Sequence, residues 1–112
     1  MIELETALFS FYNRTIKIEL GQKEVKSGKF ESCKFYPFFA ELFIQKNPEK
    51  TDKLRIPLPF KVEHHEQDGL IYLDYRIVTF NRNTKTDFDK EDVSNINHHK
   101  YFDKILTISI NE

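Results

Sequence analysis

From Leu54 to Val62 the chain alternates without a break, with Leu54, Ile56, Leu58, Phe60 and Val62 on one side and Arg55, Pro57, Pro59 and Lys61 on the other. A side-chain period of two is that of a strand, whose successive residues point to opposite faces; on a helix the same residues would be spread around the axis. Pro57 and Pro59 have no N–H to give to a neighbouring strand. The stretch is therefore expected at the edge of a sheet, where the prolines also guard against pairing with other chains. Asp68-Gly69 suits a two-residue hairpin turn, which sets Glu66 opposite Ile71, His64 opposite Leu73, Val62 opposite Tyr75 and Phe60 opposite Ile77.

The same period runs through most of the chain. A turn at Asn13-Arg14 pairs Phe11 with Ile16, Phe9 with Ile18 and Ala7 with Leu20 on one face. Residues 23–34, broken by Gly28, read as a bulged strand. Residues 35–46 fit a strand with Phe38, Ala40, Leu42 and Ile44 inward or a short helix pairing Phe38 with Leu42 and Phe39 with Phe43, the strand being preferred, and 47–53 (NPEKTDK) reads as an exposed loop. Residues 81–103 are polar and asparagine-rich, giving a long surface connection with one helical turn near 89–96. Leu106, Ile108 and Ile110 alternate with Thr107 and Ser109 in a last strand. The expected fold is all-β: about seven antiparallel strands built from hairpins, forming a sandwich or a partly open barrel. At 112 residues the chain has the size of a single domain with one core.

Seventeen basic residues face eighteen acidic ones, a net charge of −1 that creates no global field. Residues 14–61 carry eleven Lys or Arg against six acids, and residues 62–112 six against ten. Folding is expected to interleave the halves and even out this asymmetry. The single Cys33 excludes an intrachain disulfide and fits a reducing compartment, with the cytoplasm as the expected location. Acids at Glu3 and Glu5 replace the basic start of a signal peptide, and no apolar run reaches membrane-spanning length, so no membrane partner is expected.

Three glycines cannot build a phosphate-cradling loop, and no serine has the surroundings of a nucleophile elbow. Histidines occur as the adjacent pairs His64-His65 and His98-His99. The Asp68-Gly69 register puts Asp74 across from Glu63 and Tyr72 across from His65. Glu63, His65 and Asp74, with a loop histidine, are thus candidate metal ligands for a small metal-dependent enzyme. An ion-pair lattice with Lys61 and Arg76 accounts for the same charges without a metal, and no cofactor is expected. A single-stranded nucleic-acid-binding barrel would use the lysines between Lys23 and Lys61 with Phe30, Phe35, Tyr36, Phe39 and Phe43. Glu24, Glu31, Glu41 and Glu49 interrupt those lysines, which disfavours nucleic acid as a partner. The reading that remains is a non-catalytic protein-binding or assembly module with an accessory, inhibitory or structural role, as in a phage or mobile element. Its contacts to another protein, or to a second copy, are expected at Tyr36, Phe39, Phe43 and Tyr72.

Overall fold

The computed structural model describes residues 2–76, 98–101 and 103–112. A helix, α1 (Ile2–Phe9), precedes strands β1 (Thr15–Leu20), β2 (Lys23–Phe35), β3 (Phe39–Asn47), β4 (Lys50–Pro57), β5 (Lys61–His65) and β6 (Leu70–Asp74). A short helix, α2 (His98–Tyr101), leads into β7 (Ile105–Ile110). All seven strands lie in one antiparallel sheet in the order β4-β3-β2-β1-β7-β6-β5.

That order leaves β4 and β5 as its two edges, with an open seam between them; six antiparallel steps separate the two, so they run in the same direction and β5 continues β4 rather than closing an up-and-down barrel. In a flat sheet these two edge strands would stand about 29 Å apart. The link of residues 58–60 that joins them can span at most about 15 Å, so the sheet must curl. Tyr75, just after β6, donates its hydroxyl to the Pro57 carbonyl at 2.6 Å across the seam. The all-β expectation of a sandwich or partly open barrel holds: the strands form one curled sheet that is not closed into a barrel. Pro57 and Pro59 sit at the seam, where a missing N–H breaks no ladder.

The inner face is apolar because alternation delivers one row per strand: Ile16 and Ile18 on β1, Leu42 and Ile44 on β3, Ile71 and Leu73 on β6, Leu106 and Ile108 on β7 are all fully buried. Leu4, Ala7, Leu8 and Phe11, at helical spacing, cover that face and join the same core. The chain leaving α1 reaches both halves of the sheet. Phe11 meets the His64 ring of β5 edge-on at 6.1 Å, while Tyr12 stacks on Phe30 of β2 at 5.1 Å.

Several sequence expectations are corrected. Residues 2–9 form a helix and not the first strand of a hairpin, because Leu4, Ala7, Leu8 and Phe11 also satisfy a period of 3.6 and the curled sheet needs filling. Phe9, expected inward opposite Ile18, is 74% exposed, and Ile18 pairs instead with Lys26 and Ile108. The run 54–62 is two strands, ending at Pro57 and resuming at Lys61, so Phe60 leaves the core row. Strand β4 begins at Lys50, which shortens the expected 47–53 loop to a tight turn. Ala40, Leu42 and Ile44 point inward as expected, but Phe38 precedes β3 and is 37% exposed. The β5–β6 connection is a 3-10 turn, Glu66–Asp68, closed by Gly69 in the left-handed region, and not a two-residue turn. The register moves by two, so His64 faces Ile71 and Val62 faces Leu73 while every side chain keeps its face. Ile77 and the helical turn expected at 89–96 lie outside the described residues. The two charged halves of the sequence are not interleaved either: β1 to β4 form one contiguous side of the sheet and β5 to β7 the other.

Candidate interaction surface

The backbone of the link of residues 58–60 is tied to two distant segments, the turn before β3 and the end of β6. Leu58 N–H donates to the Phe38 carbonyl at 3.3 Å, and Phe60 N–H donates to the Asp74 carbonyl at 3.0 Å. The turn between β2 and β3 is closed by Tyr36 N–H on the Phe39 carbonyl at 2.9 Å. Tyr36, Phe38 and Phe60 are consequently presented by neighbouring backbone, exposed by 36%, 37% and 58%. Tyr36 stacks on Phe39 at 4.4 Å, and the Arg55 guanidinium lies 5.7 Å from the Phe39 ring.

Of the four expected contact residues, this arrangement brings together Tyr36 and Phe39, with Phe39 buried beneath. Phe43 is half-buried further along β3. Tyr72 lies on β6, four strands from β3 in the sheet order, with its ring edge-on to His65 at 5.3 Å. Phe38 and Phe60 were assigned to the core by alternation, and the only signal that could have freed them is proline: Pro37, Pro57 and Pro59 flank both rings and interrupt the strands there.

The candidate metal ligands share the outer face of β5 and β6 but do not converge. Asp74 faces Lys61, and Glu63 faces Tyr72. Glu63 is paired with Lys61 at 3.0 Å and lies 3.6 Å from His65. Asp74 is held by Arg76, whose guanidinium donates at 3.0 and 2.8 Å and whose backbone N–H donates at 2.9 Å. Among the described residues, no three of His, Cys, Asp and Glu are placed to hold a metal ion. The His98 and His99 side chains lie outside the described part.

Arg76 holds the Asp74 carboxyl at about 2, below its ordinary 3.8. A carboxyl lowered on folding adds stability above its unfolded value and loses it as the pH falls through the folded one. Denaturant titrations between pH 5 and pH 2 are therefore expected to show stability falling from about pH 4 downward, and Asp74→Asn to flatten that fall. An equal slope in the variant excludes this contribution.

On the β3–β4 side, Glu41 is nearly buried on the outer face and bonded by Arg55 at 2.7 Å. Cys33 is half-buried, 3.3 Å from the Tyr12 hydroxyl, and burial raises its thiol above the ordinary value. Among the described residues no helix is long and apolar enough to cross a membrane. No family model, no curated protein and no solved structure matches this chain.

Proposed function

We propose that this chain is a non-catalytic protein-binding or assembly module that docks another protein, or a second copy of itself, on the surface formed by Tyr36 and Phe60. The observation that carries the reading is the enforced exposure of Phe60, which is 58% exposed with its own N–H bonded to the Asp74 carbonyl and Pro59 fixed directly before it. Burying a phenylalanine yields about 1.5–3 kcal/mol, so a ring kept in water by bonded backbone is suited to serve as an anchor. The interior of the curled sheet supports a surface role, since Leu4, Leu8 and Phe11 occupy it. Cys33, half-buried and without a disulfide, agrees with a cytoplasmic setting.

The test is capture of a partner by the wild-type protein and by Phe60→Ala with Tyr36→Ala, with light scattering over a dilution series for self-association. A specific partner, or a dimer, should be weakened by at least about ten-fold in the double variant, the loss typical of a hot spot. Equal binding by a variant that melts like wild type would remove this surface from consideration.

A further inference from the structure

We propose that one rim of the curled sheet is a track for the phosphates of single-stranded nucleic acid, formed by Lys23, Lys26, Lys100 and Lys104. This inference is independent of the aromatic surface. It begins with the inward rows. On β2, Lys26 continues the row of Phe30 and Gly28 and pairs with Ile18; on β3, Lys46 follows Ile44; before β7, Lys104 precedes Leu106. Each lysine is the residue at which a buried row runs out into water.

The rim has two connected parts. Lys23 on β2, with Lys100 and Lys104 from the stretch leading into β7, lines a recess of about 300 Å³ together with Leu20 and Val25, with Glu24 as the acid in its wall. Three residues further along β2, Lys26 lies 3.3 Å from Asp52, which also has Lys46 at 3.7 Å and Lys50 at 3.8 Å. Burial raises the Asp52 carboxyl, but Lys26, Lys50 and Lys46 outweigh this and hold it below its ordinary value. One carboxylate cannot neutralise three ammonium groups. Among the described residues, with exposed Glu49 and Asp103 included, six lysines stand against four acids at this rim, in a chain whose net charge is −1.

Alternation also removes from the rim two of the four acids that interrupt these lysines in the sequence. Glu41 points to the outer face against Arg55, and Glu31 accepts a hydrogen bond from the outward Thr51 hydroxyl at 3.1 Å. The ligand chemistry follows from the recess. Spaced cations along an open rim match a chain of phosphates, and the apolar lining beside them suits one splayed base, which a single strand offers and a duplex does not.

The experiment is fluorescence anisotropy of a labelled oligothymidylate over a salt series. Binding at low salt should weaken as salt rises, with a slope of roughly 0.7 per phosphate contact. Lys23→Glu with Lys104→Glu should lower affinity at least about ten-fold, while Lys17→Glu on the outer face changes it by less than about two-fold. Lys23→Gln with Lys104→Gln replaces the charge reversal if that variant melts early. No binding at low salt, binding indifferent to salt, or an equal loss in Lys17→Glu overturns the proposal. So does displacement of the strand by poly-glutamate at matched charge, which would assign the rim to an acidic polypeptide.

Discussion

Phe11→Ala is expected to lower the free energy of unfolding by about 3–5 kcal/mol, and Phe9→Ala to change it by less than about 0.5 kcal/mol. The contrast comes from α1. Phe11 is 2% exposed and touches the core and the His64 ring, whereas Phe9 is 74% exposed and meets Tyr12 edge-on at 5.9 Å. Had residues 7–20 formed a hairpin, Phe9 and Phe11 would share the inward face and cost the same. Chemical denaturation of both variants decides between the two arrangements. A large loss also has a structural sequel, because a loosened helix uncovers the apolar inner face of the open sheet. Edge strands β4 and β5 are then available for pairing with other chains, so Phe11→Ala should aggregate at temperatures where wild type stays clear.

Tyr75 gives the second large effect. Its ring is completely buried, 5.4 Å from that of Tyr101, and its hydroxyl reaches the Pro57 carbonyl. Tyr75→Ala removes the ring and leaves a cavity, at a cost of about 3–5 kcal/mol. Tyr75→Phe keeps the ring and removes only the donor, at about 1–3 kcal/mol for the orphaned carbonyl. If Tyr75→Phe were neutral while Tyr75→Ala was costly, the bond across the seam would contribute nothing and packing alone would hold it. The same side chains set an alkaline limit. Burial pushes the Tyr101 phenol up to about 12 and raises that of Tyr75 well above the same ordinary value of 10.0. Groups raised on folding stabilise fully below their unfolded value and lose that contribution as the pH rises past it. Stability should therefore fall above about pH 10, and a tyrosinate titration should show two phenols ionising only as the protein unfolds.

Strands were legible wherever one face is buried and nothing else competes for the pattern. Strand β7, the Ala40, Leu42 and Ile44 row of β3 and the bulged β2 follow directly from alternation and from Gly28. Alternation failed where two periods fit the same residues, as in Ala7, Leu8 and Phe11, and where proline ended a strand that the pattern continued, as at Pro57. The candidate site was legible in part. Tyr36 was named as exposed, but Phe38 and Phe60 passed for core residues. The charge asymmetry was visible too, while its survival depended on strand order.

By itself the sequence determined most of the inward rows, that the chain is mainly antiparallel strand, and that the prolines mark an edge. These are local consequences of side-chain direction and backbone chemistry, settled within a few residues. Only the tertiary structure decided that a helix fills the curl, that the sheet opens between β4 and β5, and that Phe60 and the rim lysines face water. Those outcomes depend on contacts between residues far apart in the chain, whose free energy outweighs local preference and leaves no periodic trace.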